Sequence, residues 1–296
     1  MYNNSRLNKD IDCKRCSEVN QTLIYQAFIN GYSDYPIPMK ISMEHFFERF
    51  FGPEGNTLED SFIALRDHKP VGLILGGIRI FDGYKNLRCG AFCVVSDLRG
   101  KGMSRELFRL FVQNGLNRGC IRISLEVLSD NEHAIRFYEK QGFKKQNKLL
   151  YYSKSLADGS LKQTIKILPH ITIKKVNLSV AKEVREQIGP IHINWQNEVE
   201  YFLQDVSAHC FAAYLDHQLK GALVITEYGK IYFIYVNKED RRKGIATALL
   251  LYTINHLNLQ KLNISMPDQI QMIEFLRNIG FEKEPIEQYE MYKWLI

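Results

Sequence analysis

No apolar stretch in this sequence approaches the roughly 18–20 residues that a membrane-spanning helix needs. The longest candidate, Val71 to Ile80, is interrupted by Gly72, Gly76 and Gly77. Met1 to Asp10 is polar and lacks the apolar core of a secretory signal, so a cytoplasmic protein with no membrane partner is expected. Cysteine is sparse at six residues, as suits a reducing compartment. Cys13-x-x-Cys16 has metal-ligand spacing, but no second such pair completes a four-thiolate site, and no metal is expected. Cys89 and Cys93 fall in an apolar run and read as small core residues. A dense basic cluster is also missing. Residues 1–155 hold 23 Lys/Arg against 17 Asp/Glu, and residues 156–296 hold 16 of each. That mild, one-sided excess suits a small polyanionic ligand and argues against nucleic acid. Neither the spacing G-x-x-x-x-G-K-[ST] nor a dinucleotide fingerprint occurs, which sets nucleotide enzymes aside. No Ser-His-Asp or Cys-His arrangement can be read from the order of residues, and His133 and His192 stand without ligand spacing.

A glycine-bearing basic loop is present twice, about 140 residues apart. The first copy is Arg99-Gly100-Lys101-Gly102-Met103-Ser104, and the second is Arg241-Arg242-Lys243-Gly244-Ile245-Ala246. Val94 and Val236 each stand five residues before the arginine and close a β-rich run. An amphipathic helix follows each loop. A strand that gives way to glycine and positive charge and then starts a helix presents backbone N–H groups and a positive helix end to an anion.

The same order of elements surrounds both loops. In the first half the pattern predicts a strand at Ile11 to Arg15, helices at about Ser17 to Asn30 and Ser42 to Phe51, and strands near 61–67, 70–81 and 86–95. After the loop come a helix from Ser104 to Leu116, a strand from Ile121 to Leu128, a helix from Asn131 to Gln141 and a strand from Lys148 to Lys154. The second half predicts a strand at Ile171 to Val176, helices at Ser179 to Ile188 and Gln196 to Leu203, and strands near 208–215, 219–227 and 230–237. A helix from Ile245 to Leu257, a strand from Lys261 to Met266, a helix from Gln269 to Asn278 and a strand from Tyr289 to Leu295 follow its loop. Leu156 to Gln163, with Asp158-Gly159-Ser160, reads as a linker between domains at 1–155 and 164–296. Phe137-Tyr138-x-x-x-Gly142-Phe143 and Phe275-Leu276-x-x-x-Gly280-Phe281 repeat one helix-end signature.

These residues together resemble the GCN5-related N-acetyltransferase (GNAT) superfamily. Its acyl-CoA motif, Arg/Gln-x-x-Gly-x-Gly/Ala after a strand ending in valine, is similar to Arg99-x-x-Gly102-x-Ser104 and Arg241-x-x-Gly244-x-Ala246. Ser104 departs from the pattern and remains small. Asn131, Ala134 and the run Phe137 to Phe143 are similar to the family's following segment. The resemblance implies a mixed α+β fold of two tandem acyl-CoA N-acyltransferase domains, each a central mixed, largely antiparallel sheet flanked by helices. It implies acetyl-CoA as co-substrate, an amine acceptor (small molecule or peptide), and a pseudo-dimeric monomer or a homodimer. The pyrophosphate would sit on the backbone of Arg99, Gly100, Lys101, Gly102, Met103 and Ser104, with added charge from Arg99 and Lys101. Pantetheine would run along Val94, Val95 and Ser96, and Asn131 would order the neighbouring loop or contact CoA. Val236 and the residues Arg241 to Ala246 would form a possible second seat.

Acyl transfer to an amine requires removal of a proton from the nucleophile and a proton donor for the leaving thiolate. On the predicted strand from Ile121, alternation puts Glu126 opposite the apolar face of Ile123, Leu125 and Val127. Twelve residues on, Tyr138 shares a helical face with Asn131 and Ala134. The run Leu125-Glu126-Val127…Asn131…Tyr138 is similar to that of the ribosomal-protein N-terminal alanine acetyltransferases. That resemblance implies Glu126 as general base and Tyr138 as general acid. In the second half Ile264 and Leu276 hold the equivalent positions, so catalysis is expected in the first half. The aromatic and proline-rich stretch with Tyr25, Phe28, Tyr32, Tyr35, Pro36, Pro38, Phe46 and Phe47 contains the expected acceptor wall at Tyr32 to Pro38, although core packing accounts equally well for some of its rings. A non-catalytic acyl-CoA-binding or regulatory protein is the alternative that the residues leave open.

Overall fold

The structure, a computed structural model, describes residues 11–35, 37, 39–157 and 170–295. Pro36, Pro38 and residues 158–163 of the expected linker lie outside the described residues. The chain forms two compact units, and neither is contiguous in sequence. One takes Met1–Val127, His133–Gln146 and Glu290–Ile296; the other takes Leu128–Glu132 and Asn147–Tyr289.

In the first unit the elements run β1 (Ile11–Arg15), α1 (Gln21–Gly31), α2 (Met43–Phe50), β2 (Thr57–Arg66), β3 (Lys69–Phe81), β4 (Tyr84–Val94), α3 (Met103–Asn117), β5 (Arg122–Leu128) and α4 (Glu132–Lys140). Helix α1 starts at Gln21 rather than Ser17 because the Asn20 side chain accepts from the N–H of Thr22 and fixes the first turn there. Ser42 caps α2 in the same way, accepting from the N–H of His45. The sheet order is β1-β2-β3-β4-β5, completed by the end of the last strand. All strand pairs with a defined register here are antiparallel except β4 with β5, which is parallel. Beneath this sheet, Ile24, Ala27 and Phe28 of α1 pack with Phe46 and Phe50 of α2 on Leu73 and Leu75. Phe28 and Phe46 are thus core rings, their centroids 4.7 Å apart.

The second unit uses β6 (Lys144–Ser155), β7 (Thr172–Val176), α5 (Leu178–Ile188), α6 (Val199–Phe202), β8 (Ala208–Leu215), β9 (Gln218–Thr226), β10 (Lys230–Val236), α7 (Ile245–Leu257), β11 (Lys261–Pro267), α8 (Ile270–Asn278) and the first part of β12 (Glu282–Trp294). Its strand order is β12-β6-β11-β10-β9-β8-β7, with β10 parallel to β11. Hairpin turns repeat between the units. Asp67-His68 joins β2 to β3 with φ of 49° and 62°, and Asp216-His217 joins β8 to β9 with the same pair of angles. Two consecutive left-handed residues match the twist of the flanking strands, and the polar Asp and His side chains tolerate that region.

Strand β12 starts at Glu282, seven residues before the predicted Tyr289. Its early part reads Glu-Lys-Glu-Pro-Ile-Glu-Gln, a charged run with proline and no apolar alternation. Pairing places it in the sheet, and Glu287 ion-pairs with Lys148 at 2.5 Å and also with Lys283.

Candidate active site

Strands β4 and β5 pair only from Asn86↔Arg122 to Cys89↔Leu125, although β4 continues to Val94 and β5 to Leu128. The register of β4 against β3 shifts where Leu75↔Ala91 is followed by Gly76↔Cys89, leaving Gly90 as the extra residue. A bulge there bends β4 away from its neighbour. Gly90 lies so close to Asn56 that a Cβ would stand 2.2 Å from the Asn56 side-chain oxygen, which excludes larger residues.

Beyond the paired segment the gap-side main-chain groups of β4 meet side chains instead of β5. The Val95 N–H donates to Val71 in β3 at 3.0 Å, so by strand alternation Phe92 and Val94 turn the other way. The Phe92 N–H donates to the Tyr32 hydroxyl at 3.1 Å, and that hydroxyl lies 3.4 Å from the Phe92 carbonyl. The Val94 carbonyl accepts from Arg99 Nε at 2.8 Å. Of the stretch Val94 to Ser96 singled out in the sequence, Val94 faces the gap, Val95 pairs with β3, and Ser96 opens an exposed 3-10 turn. Phe92 was missed because its contact at the gap is made by its main chain, which side-chain patterns do not register.

The basic loop follows. Gly100 and Gly102 have φ of 74° and 91°, and Gly102 is the N-cap of α3 with no side chain capping it. The first-turn N–H groups of the helix therefore point outward without an intrahelical acceptor. Nothing lies within 4 Å of a Cβ built on Gly102, so glycine is required there by backbone conformation rather than by crowding. Lys101 is exposed, Met103 is buried and Ser104 half-buried. Arg99 does not point into this seat. Its guanidinium holds the Gly31 carbonyl at 3.1 Å and both Asp34 oxygens at 2.5 and 2.7 Å. Arg99 thus ties the end of α1 to the end of β4 and frames the loop.

Tyr138, in α4, is buried among the rings of Phe92, Phe108, Phe137 and Phe143, with centroids 5.5–6.5 Å away. Among the described residues its hydroxyl has no hydrogen-bond partner. Burial, then the nearby Cys89, Tyr32, Tyr35 and Cys93, pushes the Tyr138 phenol well above its ordinary range, so it keeps its proton. Cys89 and Cys93, pushed up to about 12 mainly by burial, stay as neutral thiols. Tyr32, whose hydroxyl reaches the Phe92 main chain, has its ring 5.2 Å from that of Tyr35. Asn131 immediately precedes α4 and is half-buried.

Glu126 leaves the apolar face of β5 as alternation predicts, but it is not solvated. Arg88 of β4 grips it: Nε stands 3.0 and 3.2 Å from its two oxygens, and Nη2 stands 2.8 Å from one of them. Arg88 Nη1 donates to Glu54 at 2.8 Å. The Arg88, Glu54 and Glu126 side chains are 3, 5 and 7% exposed. Burial raises the Glu126 proton affinity; Arg88 lowers it, while Glu290 and Glu54 raise it further. Burial alone would lower that of Arg88, but Glu126 and Glu54 hold it charged. Arg88, Glu54 and Glu290 escaped the sequence reading. The available signal was a charge flanked by apolar residues in each of two strands, Arg88 in Leu-Arg-Cys and Glu126 in Leu-Glu-Val. Glu54 gave none, because its loop reaches the cluster only in the fold.

The second unit repeats the frame and closes it. Strands β10 and β11 pair only at Lys230↔Asn263 and Ile231↔Ile264. Gly244 caps α7 with φ of 83°, and Arg242, with φ of 64°, takes the left-handed position that Gly100 has in the first loop. Arg241 Nε reaches the Val236 carbonyl at 3.3 Å, repeating Arg99 with Val94. Lys243 is bound to Asp240 at 2.7 Å. The Asn263 N–H donates to Gly229, so Ser265, two residues on, also faces β10. There its carbonyl accepts from Asn197 Nδ2 at 2.5 Å, which places the buried Trp195–Asn197 turn at the opening between the strands. Ile264 and Leu276 are buried in this unit's core. Ile245 is buried, and Ala246 is half-buried at the start of α7.

No group of three or more His, Cys, Asp or Glu suited to holding a metal occurs among the described residues. No helix there is long and apolar enough to cross a membrane. Residues 23–143 match the model of the acetyltransferase (GNAT) family, and residues 178–293 match that of the acetyltransferase (GNAT) domain. The chain is similar to N-alpha-acetyltransferase 30 of Schizosaccharomyces pombe, 32% identical over 96 residues, which are 32% of this chain and 63% of that protein. It is similar also to an acetyltransferase of Sodalis glossinidius, 33% identical over 88 residues, 30% of this chain and 59% of that one. It thus spans about three fifths of the length of these relatives. Among solved structures, a GCN5-related N-acetyltransferase from Sphaerobacter thermophilus aligns with TM-score 0.73 at 13% identity, over 97% of this chain and 96% of that one. A tandem GNAT protein from the clavulanic acid biosynthesis pathway aligns with TM-score 0.68 at 13% identity, over 96% and 98%.

Proposed function

Because the chain belongs to the GNAT acetyltransferase family and is an acyltransferase, we propose that its first unit transfers the acetyl group of acetyl-CoA to a primary amine. The observation that carries this is the convergence, in one unit, of a gap between parallel strands, an uncapped helix start behind Gly102, and a buried phenol whose hydroxyl has no hydrogen-bond partner among the described residues. The α3 N-terminus and the loop Arg99 to Ser104 suit a pyrophosphate, and the stretch of β4 that β5 leaves unpaired suits an extended amide-bearing arm. In the reaction the amine nitrogen forms a bond to the thioester carbonyl carbon, and the carbon–sulfur bond breaks. Tyr138 gives its proton to the departing sulfur. Glu126 takes the proton from the nitrogen. Tyr32 and Tyr35 border the acceptor side.

The decisive experiment is CoA release from acetyl-CoA over a panel of amines and amino-terminal peptides. Turnover on some member supports the reading; tight CoA binding without turnover on any favours a regulatory binder. Gly102→Glu is expected to weaken CoA binding by at least tenfold, since it puts a carboxylate at the phosphate seat and forces a side chain into a left-handed conformation. Unchanged affinity in a calorimetric titration would remove the first loop from the account.

The second unit is the non-productive partner in this reading. Asn197 at Ser265, Lys243 held by Asp240 and apolar residues at 264 and 276 all oppose a second reaction site. Titration with CoA is accordingly expected to saturate at about one equivalent per chain. Two equivalents of comparable affinity would show that the second gap opens.

A further inference from the structure

Buried Glu54 and Glu290, and Glu126 with its side chain 7% exposed, belong to the region of one guanidinium, Arg88. Arg88 divides its arms between two of them. Nε and Nη2 are given to Glu126, and Nη1 to Glu54, all within 3.2 Å and nearly sealed from water. Arg49 also meets Glu54, at 3.6 Å, but its side chain is mostly exposed. Arg88 is thus the buried positive charge that Glu54 and Glu126 share, and burial makes incomplete compensation costly. A cluster of this kind either keeps a proton or exists to receive one. A carboxylate held alone by an arginine would be a poor base, because the bidentate contact stabilises its charged form. Here a second carboxylate draws on the same arginine from the other side.

We propose that Glu54 is a positioning residue for the transfer reaction, acting through Arg88 on the carboxylate of Glu126. It rests on Glu126 as the general base. Glu54 fixes the Arg88 plane so that both arms meet Glu126. Its charge also competes for Arg88 and leaves Glu126 basic enough to take a proton from an amine. The groups facing Glu126 are Arg88 and Cys89 of β4, Glu54 from the turn after α2, and Glu290 and Tyr292 of β12. Arg49 faces Glu54 from α2 at 3.6 Å. Replacing Glu54 by a neutral isostere keeps an acceptor for Arg88 and removes the competing charge.

The test is the pH dependence of kcat and kcat/KM for wild type, Glu54→Gln, Glu54→Asp and Glu126→Gln, with CoA affinity measured for each. In Glu54→Gln the acid limb is expected to move to lower pH and the plateau kcat to fall roughly threefold, as a weaker base requires. CoA affinity should not change. Glu54→Asp, which keeps the charge, should place the limb nearer to that of wild type. A Glu54→Gln limb that coincides with wild type, or a loss confined to CoA affinity, overturns the role of Glu54. Should Glu54→Gln fail to fold, carbon-13 titration of the wild-type Glu126 carboxyl decides: a midpoint at or below that of an ordinary glutamate overturns it. Glu126→Gln separates the two levels. If that variant keeps the wild-type acid limb, the base assignment fails and this inference with it. If the limb disappears while Glu54→Gln leaves it in place, only the inference fails.

Discussion

Tyr138→Phe is expected to lower kcat by about a hundredfold to a thousandfold, the usual scale for loss of a positioned general acid. CoA affinity should stay within about twofold of wild type. The separation follows from where the ring and the hydroxyl lie. The ring packs against Phe92, Phe108, Phe137 and Phe143, and phenylalanine keeps every one of those contacts. The hydroxyl has no protein partner among the described residues, so its removal leaves no orphaned donor or acceptor. On that ground stability is expected to hold or to rise slightly. The measurements are steady-state kinetics, a CoA titration and a thermal melt on one preparation. A fall in kcat accompanied by a large loss of melting temperature would mean that the phenol is structural. Unchanged kcat would move the acid elsewhere.

The second large effect concerns folding. Arg88→Met removes the only guanidinium hydrogen-bonded to both Glu54 and Glu126 among the described residues, so both buried carboxylates lose that partner and Glu54 is left with the more exposed Arg49 at 3.6 Å. Breaking a buried ion pair from one side costs about 3–5 kcal/mol, a large part of what holds a domain of this size together. The pH dependence has a definite sign. Glu126 has a raised proton affinity in the folded state, so its contribution favours folding at low pH and is lost as pH rises through the folded value. Removing Arg88 raises that affinity further. The destabilisation of Arg88→Met should therefore be greatest near neutral pH and shrink as the solution is acidified toward the range where both glutamates hold protons. Urea denaturation at several pH values measures it. Equal loss at all pH values would mean that the arginine contributes packing alone.

Much of this site was legible in the sequence because its signals are local. Gly102 needs a left-handed backbone, Val94 and Arg99 lie five residues apart, and Tyr138 stands one helical repeat beyond Asn131. Each of these is settled by neighbours along the chain. The repeat itself was legible for the same reason, and the matching Asp-His hairpins at 67–68 and 216–217 extend it further. What escaped depends on contacts distant in sequence. Alternation put Glu126 correctly on the polar side of β5, but whether that side is wet or dry depends on Arg88 and on Glu54, 72 residues away. The orientation of Arg99 was likewise hidden, since Asp34 and the Gly31 carbonyl reach it only after α1 packs. The length of β12 was missed because its first residues are charged and pair by main chain, which side-chain periodicity cannot register.

The division of the chain between units has a bearing on how the protein is made. Residues from Glu290 onward belong to the first unit, where the Leu295 N–H donates to Ile121 at 2.9 Å and the Tyr292 ring lies 4.3 Å from the Arg122 guanidinium. Glu290 itself faces the carboxylate of Glu126. A ribosome synthesises these residues after those of the second unit. The first unit therefore cannot close its sheet, or assemble the surroundings of Glu126, until the residues of the second unit have been translated. A chain released before Glu290 carries the basic loop, Tyr138 and Glu126 without the strand that completes their unit.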